Sequence, residues 1–332
     1  MAPCRLGMYE LLQQIARGGM ADVFLARDGH GRHVAVKILD AEHAADAESR
    51  ALFADEARVL GLCDHPALAR IHEVGEHDGA AFLAMDFVHG VDLRALMQRR
   101  DVVDFQTAIA IVAAAAAGLD HAHRRCDPDG RPLHVVHRDV SLSNIMVGYD
   151  GGVKVVDFGI ARTARSLHAT CPGTVRGKAS YMSPEQALGD PVDRRTDVFA
   201  LGVVLYELTC GRRCFGGASD FDRMLAAVRG EYVAPAELDP RFPPPLANAI
   251  ATCLAIDPAQ RFASAAALID ALDAVARAYG WTTDQRAIAE FMREVYGDVG
   301  DTLDEVGDHA DEDEPTRGRR VAPKVFRAQF AA

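Results

Sequence analysis

The sequence lacks most features of an exported, zinc-binding or membrane-spanning protein. Its seven cysteines include no Cys-x-x-Cys pair and no histidine at finger-like spacing, so we interpret them as reduced thiols. Residues 1–7 lack the apolar run of a secretory signal. The longest apolar runs, Ala108–Leu119 and Val198–Leu205, are too short to cross a bilayer. These absences predict a cytoplasmic chain without a membrane span.

The chain also lacks an excess of basic residues. Lysine and arginine number 36 against 48 aspartates and glutamates, and the net charge is -12. Residues 298–314 carry nine acidic and no basic side chains, whereas residues 315–332 carry five basic ones. Because no basic stripe precedes this C-terminal segment, we do not expect a nucleic-acid partner. The charge and the shortage of large apolar groups predict a disordered tail over 298–332, acidic and then basic.

Hydrophobic periodicity divides the remaining chain into a strand-rich part and a helix-rich part. Residues 9–39 have the strand and turn pattern of an antiparallel meander. Residues 48–60 have a helical period that places Glu56 on the apolar stripe. Another strand is predicted over 80–87, and helical patterns dominate residues 186–279. The sequence therefore predicts an α+β fold with a small antiparallel β-rich lobe that includes one helix, and a larger, mainly helical lobe.

The same patterns give the expected boundaries. We predict a short N-terminal lead (1–8), a small lobe (9–88), a large lobe (89–278), an amphipathic helix (279–297) and the charged tail (298–332). Ile288, Phe291, Met292 and Val295 form the apolar stripe of that helix. Either the stripe packs on the large lobe, or the helix or the acidic tail binds a partner.

One predicted hairpin brings polar side chains together. Strands over 145–147 and 153–156 flank an Asp150-Gly151 turn, so the chain returns to its starting edge. Asn144 enters this hairpin and Asp157 leaves it, and opposite strand positions lie roughly 5 Å apart. An amide and a carboxylate at that distance suit a shared Mg²⁺ ion. Asp139 precedes Asn144 on the same loop, and is therefore a candidate general base.

The joint spacing of these residues resembles a known family. His137-Arg138-Asp139, Asn144 and Asp157-Phe158-Gly159 are similar to the catalytic and magnesium loops of eukaryotic-type protein kinases. Further matching motifs are Val34-Ala35-Val36-Lys37, Ser183-Pro184-Glu185, Asp197 with Gly202, and Asp257-Pro258 with Arg261. The resemblance covers residues 9–275, and the glycine-poor phosphate loop is typical of bacterial members. It points to the bacterial eukaryotic-like (Hanks-type) serine/threonine kinases, and implies a bilobal protein-kinase-like fold, ATP, Mg²⁺ or Mn²⁺, and protein substrates.

The resemblance also implies a role for each matching residue. Lys37 would hold the α and β phosphates, Asp139 would accept the substrate proton, and Asn144 and Asp157 would bind the metal. The implied nucleotide contacts are Ala16, Arg17, Gly18, Gly19, Val23, Ala35, Lys37, Glu56, Met85, Asp86, Val88 and Asp157. A lysine in a buried strand and a glutamate on an apolar helix face are costly unless paired, so we expect Lys37 to pair with Glu56. Glu48 and Asp55 are the alternative partners.

The chain departs from the family pattern at two places. Of the three phosphate-loop glycines only Gly18 is kept, with Gly19 beside it. Serine/threonine kinases usually carry a lysine two residues after the catalytic aspartate, and here that position is Ser141. Ser143 stands where tyrosine kinases carry an arginine. We hypothesise that Lys178 supplies the missing charge as a catalytic residue; the alternative is an unrelated surface lysine.

The resemblance further indicates regulation by phosphorylation. Arg138 would bind a phosphate on the segment after Asp157, where Thr170 and Thr174 are the candidate acceptors. Glu185 and Arg261 would form a buried structural ion pair. We therefore predict an active serine/threonine kinase that autophosphorylates this segment. The alternatives are a nucleotide-binding pseudokinase scaffold, a small-molecule phosphotransferase, and tyrosine specificity.

Overall fold

The small lobe is built on one antiparallel sheet. The computed structural model describes residues 4–158 and 179–299, the side chains of Cys4, Glu56 and Val59 excepted. The strands are β1 (Cys4–Leu6), β2 (Tyr9–Arg17), β3 (Ala21–Arg27), β4 (His33–Leu39), β5 (Ile71–His77) and β6 (Ala80–Asp86). They pair in the order β1-β2-β3-β4-β6-β5. β1 lies within the segment interpreted as a lead and pairs with β2 at the edge of the sheet.

Alternation along β4 gives the sheet two apolar faces. Val34, Val36 and Ile38 belong to one buried cluster, which packs with Tyr9 and Phe82. Ala35 and Leu39 point to the other face, where they pack with Phe53 of a helix. Two helices follow β4, α1 (Ala41–Ala45) and α2 (Ala47–Gly61). Lys37 has the same parity as Ala35, and is therefore directed to the face that α2 covers.

The large lobe is mainly helical. Its helices are α3 (Leu93–Arg99), α4 (Phe105–His123), α5 (Pro184–Leu188), α6 (Arg195–Cys210), α7 (Asp220–Arg229), α8 (Pro235–Leu238), α9 (Pro244–Cys253), α10 (Ala265–Tyr279) and α11 (Gln285–Tyr296). Side chains of Asp92, Asp104, Ser183, Ser264 and Asp284 cap the first turns of five of them. α6 is buried from Thr196 to Thr209 and packs against α4 and α9, so it forms the axis of this lobe.

α4 is the one helix within residues 4–158 and 179–299 that is long and apolar enough to cross a membrane. In the fold, 67% of its most apolar stretch is buried. It contacts α6, α10 and α11. These contacts make α4 a core helix of the large lobe.

A second, small antiparallel sheet lies beside these helices. It consists of β7 (Gly90–Asp92), β8 (Ile145–Gly148) and β9 (Val153–Val155), in that order. β7 follows the connection between the lobes, whereas β8 and β9 form a hairpin. The connection between the lobes therefore lies beside the predicted metal-binding hairpin. The strand-rich small lobe and the helical large lobe confirm the predicted bilobal α+β architecture.

α11 packs on the large lobe, the first of the two alternatives for the amphipathic helix. Ile288, Phe291 and Met292 are buried in the same core as α4. The N-terminal turn of α11 also contacts the turn between β8 and β9, where Gln285 Nε2 donates to the Asp150 carbonyl at 3.2 Å. A Cβ atom on Gly151 would collide with the Gln285 carbonyl. This helix therefore covers the hairpin turn.

Candidate active site

The β8–β9 hairpin places Asn144 and Asp157 at one end, as the sequence predicts. Ile145 pairs with Val155, and Gly151 takes a left-handed φ of 82° in the turn. Beyond the last strand pair, the Val156 N–H donates to the Asn144 carbonyl at 3.0 Å. The residues on either side of the hairpin are therefore tied together by backbone contacts.

Asn144 is oriented by Asp139. The Asn144 Nδ2 donates to the Asp139 carbonyl at 2.8 Å and to Asp139 Oδ2 at 2.9 Å. Because both partners are acceptors, the amide nitrogen must face Asp139. The amide oxygen is then the atom that Asn144 presents to a cation. This contact also fixes the Asp139 carboxylate next to the hairpin.

Lys37 and Asp157 connect the two lobes. Lys37 Nζ lies 2.9 Å from Asp157 Oδ1, and the side chains are 15% and 43% exposed. Asp157 has a φ of 55°, an unfavourable left-handed conformation for a residue with a side chain. The expected partner of Lys37, Glu56, lies in α2, but its side chain is outside the described part of the structure. The Lys37–Glu56 pairing thus stays a prediction.

A buried carboxylate holds the loop that carries Asp139. Asp197 of α6 accepts hydrogen bonds from the His137 and Arg138 backbone N–H groups, each at 2.8 Å. His123 Nε2 contacts the same carboxylate at 2.7 Å. Burial raises the pKa of Asp197, but its hydrogen bond to His123 and the neighbouring charges outweigh burial and leave the pKa lowered. The ionised Asp197 therefore stabilises Arg138 in a left-handed conformation, with a φ of 66°.

His137 has a packing role and a hydrogen-bonding role. Its ring centroid lies 4.5 Å from that of Phe158. Its Nε2 lies 3.1 Å from the Val156 carbonyl, and its Nδ1 is 3.2 Å from the Asp139 N–H. A carbonyl only accepts, so Nε2 carries the hydrogen and Nδ1 is the acceptor. Burial lowers the pKa of His137, in agreement with this neutral imidazole.

The residues predicted to contact the adenine lie on one side of the lobe connection. Val23, Ala35 and Met85 belong to a single apolar cluster together with Val156. Ala35 and Met85 are cross-strand partners on β4 and β6, and β6 ends at Asp86. Val88 is half-buried in the connection that follows. The structure thus brings the apolar candidates together next to the hairpin.

The phosphate-loop candidates lie at the exposed end of β2 and on the turn that leads to β3. Ala16, Arg17, Gly18 and Gly19 are all exposed. The Gly18 N–H donates to the Ala21 carbonyl at 2.9 Å. A Cβ atom on Gly18 would lie 2.8 Å from that carbonyl oxygen, so close approach explains the glycine.

Ser141, at the position of the missing catalytic-loop lysine, lies within the described part of the structure, whereas the residue proposed to replace that lysine does not. Ser141 is fully buried, and its hydroxyl has no hydrogen-bond partner within residues 4–158 and 179–299. Lys178, Thr170 and Thr174 lie outside the described residues. Their roles therefore stay predictions.

The predicted structural ion pair is present. Arg261 Nη1 and Nη2 bind the two oxygens of Glu185 at 2.7 and 2.8 Å, and both residues are buried. Thr196 of α6 adds a hydrogen bond to Glu185 at 2.7 Å. Through this pair, the start of α5 is attached to the core of the large lobe.

The donor set fits a divalent cation. Within the described ranges, no three histidine, cysteine, aspartate or glutamate side chains cluster into a metal-binding group. Asp157 supplies a carboxylate and Asn144 an amide oxygen, the oxygen donors that Mg²⁺ accepts beside phosphate oxygens. Asp139 adds a second negative charge nearby, whereas Lys37 adds one positive charge. The side chains present therefore favour a bound cation.

Sequence reasoning gave Asp197 no specific role. A structural role for Asp197 could have been inferred, because it directly precedes an apolar run, Val198–Leu205. A charge on a buried helix needs partners. What the sequence does not show is that those partners are backbone N–H groups of the loop around Asp139.

Comparison with known proteins gives a consistent family. Residues 9–272 match the family model described as "Protein kinase domain". Over 275 residues the chain is 39% identical to the tyrosine-protein kinase MasK of Myxococcus xanthus, covering 80% of this chain and 43% of MasK. It is 34% identical to the serine/threonine-protein kinase PrkC of Bacillus subtilis, covering 78% of this chain and 39% of PrkC. It is 35% identical to the serine/threonine-protein kinase PknA of Mycobacterium tuberculosis, covering 81% of this chain and 61% of PknA.

A solved structure supports the same fold. The kinase domain of PknI from Mycobacterium tuberculosis superposes with a TM-score of 0.63 at 28% identity. The match covers 82% of this chain and 98% of that domain. The chain spans between 39% and 61% of the length of the three curated relatives above.

Proposed function

Because the chain belongs to the protein kinase family, we propose that it transfers the γ-phosphoryl group of ATP to serine or threonine hydroxyls of proteins. The observation that carries this proposal is the joint geometry of the Asp139–Asn144 contact and the Lys37–Asp157 contact, at 2.9 Å each. Both lie at the open end of one hairpin. They provide a general base, two metal ligands and a phosphate-binding cation within one site.

Each side chain has a task that its contacts support. Asp139 positions the substrate hydroxyl and accepts its proton, because Asn144 already holds the carboxylate. Mg²⁺ or Mn²⁺, bound by Asn144 and Asp157, would neutralise charge on the phosphate oxygens. Lys37 binds the α and β phosphates. Val23, Ala35 and Met85 form an apolar wall for the adenine, and the backbone from Asp86 to Val88 supplies hydrogen bonds.

Lys178 belongs to the proposal as the second cation. In support, buried Ser141 occupies the position of the usual catalytic-loop lysine, so the loop itself offers no charge there. Charge on the transferring phosphoryl group is the main thing that such sites stabilise. A lysine from the segment before Ser183 would supply it.

Regulation by autophosphorylation also belongs to the proposal. In support, the Arg138 Nε is buried and has no hydrogen-bond partner in the described part of the chain. A phosphate on Thr170 or Thr174 would supply the acceptor oxygens that a guanidinium binds well.

The test is incorporation of labelled phosphate from ATP in the presence of Mg²⁺. We expect label on serine or threonine in the wild type and roughly a thousandfold less in Asp139→Asn, because that variant loses the base but not the hydrogen bond to Asn144. The control is equal nucleotide binding by the two proteins.

Other outcomes separate the alternatives. Nucleotide binding without any label favours the pseudokinase scaffold, for which the loss of a loop cation at Ser141 is the supporting observation. Label on tyrosine alone would contradict the serine/threonine assignment. Transfer to small molecules but to no protein would overturn the protein-kinase assignment.

A further inference from the structure

Lys154 of β9 joins three segments of the chain. Its Nζ lies 2.9 Å from Asp86 Oδ2, 3.0 Å from the Pro66 carbonyl and 3.1 Å from the Leu68 carbonyl. An ammonium group has three N–H donors, and here each has an acceptor. Lys154 is about 25% exposed, so the contacts lie in a partly dehydrated setting.

Asp86 is held from the other side as well. Its Oδ1 lies 3.0 Å from His72 Nε2, and its Oδ2 accepts from the Arg70 N–H at 3.2 Å. Burial raises the pKa of Asp86, but the hydrogen bond and charge of Lys154, together with the Arg70 N–H and His72, outweigh it and leave the pKa lowered. Asp86 is therefore an ionised residue fixed at the point where β6 enters the lobe connection.

The residues that follow Lys154 along the chain lead to the metal site. Val155, next to Lys154, exchanges backbone hydrogen bonds with Ala67 and Ala69 at 2.9 and 3.1 Å. Asp157 follows two residues later and contacts Lys37. The Lys154 cluster thus lies between the segment that would hold the adenine and the residue that would hold the metal.

The choice of lysine is itself informative. Of the 36 basic residues only four are lysines: Lys37, Lys154, Lys178 and Lys324. A guanidinium is planar and directs its N–H groups outward in a fork, whereas an ammonium directs three donors tetrahedrally from one atom. Three acceptors on two segments, 66–68 and the end of β6, converge on one atom, and this fits the ammonium and not the guanidinium.

We propose that Lys154 is a positioning residue, which fixes the spacing between the adenine-binding connection at Asp86 and the metal ligand Asp157. Without this link the two ends of the nucleotide site still bind their groups separately. They no longer hold them at the spacing that one nucleotide requires. This inference rests on the proposed nucleotide-binding function.

The test compares adenosine, which needs only the adenine end of the site, with Mg²⁺–ADP, which needs the adenine end and the metal end together. Calorimetry would measure the binding of adenosine, of ADP, and of ADP with Mg²⁺ to the wild type, Lys154→Met and Lys154→Arg. We expect adenosine affinity within about twofold of wild type in both variants. We expect the gain in ADP affinity on adding Mg²⁺ to fall about tenfold, the size of effect seen when supporting contacts of a metal site are lost.

A matched control separates positioning from general stability. Arg223 forms a similar partly buried pair with Asp220 at 2.6 Å on α7, away from the nucleotide site. Arg223→Met should leave both affinities unchanged, and thermal unfolding would report any stability loss in each variant. Equal losses of adenosine and Mg²⁺–ADP affinity in Lys154→Met, or no loss of the Mg²⁺ gain, would overturn the proposal.

The same measurements separate a failure of the Lys154 proposal from a failure of the proposed kinase activity. A wild-type chain that binds Mg²⁺–ADP but transfers no phosphate would contradict only the kinase activity, since the binding comparison still tests Lys154. A wild-type chain that binds neither ligand would overturn both.

Discussion

The catalytic loop, residues 137–144, and the phosphate loop, residues 15–23, face the same site but are held very differently. Asp197 and Gln186 bind the catalytic loop from other parts of the large lobe, and Asn144 binds Asp139 within the loop, all through hydrogen bonds of 2.8–2.9 Å. Residues 15–19 of the phosphate loop are exposed. Besides strand pairing, the described contacts there include the Gly18–Ala21 hydrogen bond, a hydrogen bond from the Asp40 N–H to the Met20 carbonyl at 3.0 Å, and an exposed Arg17–Asp22 contact at 3.8 Å.

The two loops differ in the contacts that determine their backbone conformation. The catalytic loop contains an unfavourable left-handed residue, Arg138, which persists because a buried carboxylate stabilises it. The phosphate loop is held mainly by strand pairing, so we expect its backbone to adjust to a ligand at lower cost than the catalytic loop. Substitutions should therefore be severe in the first region and mild in the second.

Asp197→Ala should have the largest effect. It removes the partner of His123 and leaves the His137 and Arg138 N–H groups buried without an acceptor. We expect a loss of about 3–5 kcal/mol in the free energy of unfolding, together with loss of phosphate transfer. Urea denaturation measures the first and labelled ATP the second.

Asp193→Ala is the matched control for that variant. Asp193 is half-exposed and pairs with Arg195 on the surface, so its removal should cost far less stability. Similar losses in the two variants would contradict the anchoring role of Asp197. If Asp197→Ala does not fold, Asp197→Asn tests the same role through its turnover.

Lys178→Ala tests whether the catalytic loop is incomplete by itself. We expect kcat to fall about 100- to 1,000-fold with little change in stability, because one charge at the transferring phosphate is lost. Adding Ser141→Lys should restore part of the rate, although burial of Ser141 limits the space for a longer side chain. Steady-state kinetics with a protein substrate measures both. Unchanged turnover in Lys178→Ala would end the hypothesis.

Replacing Thr170 and Thr174 together by alanine should have an intermediate effect. Without a phosphate partner for Arg138, we expect about tenfold lower activity, since one or two charge-assisted hydrogen bonds no longer form. Mass spectrometry of the wild type would locate the phosphate, and the single variants would assign it. Full activity in the double variant would contradict regulation through these threonines.

Gly18→Val should have the smallest effect. Its Cβ would approach the Ala21 carbonyl to 2.8 Å, so the exposed turn must shift. We expect a cost of about 1 kcal/mol, roughly a fivefold rise in KM for ATP, with kcat nearly unchanged. Gly29→Val, on the exposed turn between β3 and β4, is the control. A fall in kcat as large as that of Lys178→Ala would break the contrast between the two loops.

Much of the fold was predictable because its signals are local. The α2 and α11 patterns, the β2–β4 meander and the β8–β9 hairpin each have a clear period or turn signal, and each element is present. β1 and β5 were not predicted. β1 is three residues long, and β5 has the sequence IHEVGEH, whose charged and glycine residues disguise an edge strand.

The candidate site was predictable in its residue types but not in its supports. Asn144 and Asp157 follow from one tight hairpin, so their proximity is a short-range property. Asp197 is 60 residues from His137, and Lys154 is 68 residues from Asp86. Such contacts depend on how the lobes and helices assemble, which periodicity along the chain does not specify.

The contact between α11 and Gly151 bears on where this protein can be shortened. The family match ends at Leu272, before α11 begins at Gln285. A chain cut at Leu272 would leave the hairpin turn facing solvent and would uncover the apolar surface that Phe291 and Met292 occupy. We therefore expect a chain that ends at Tyr296 to unfold at a higher temperature than one that ends at Leu272, where the family match stops.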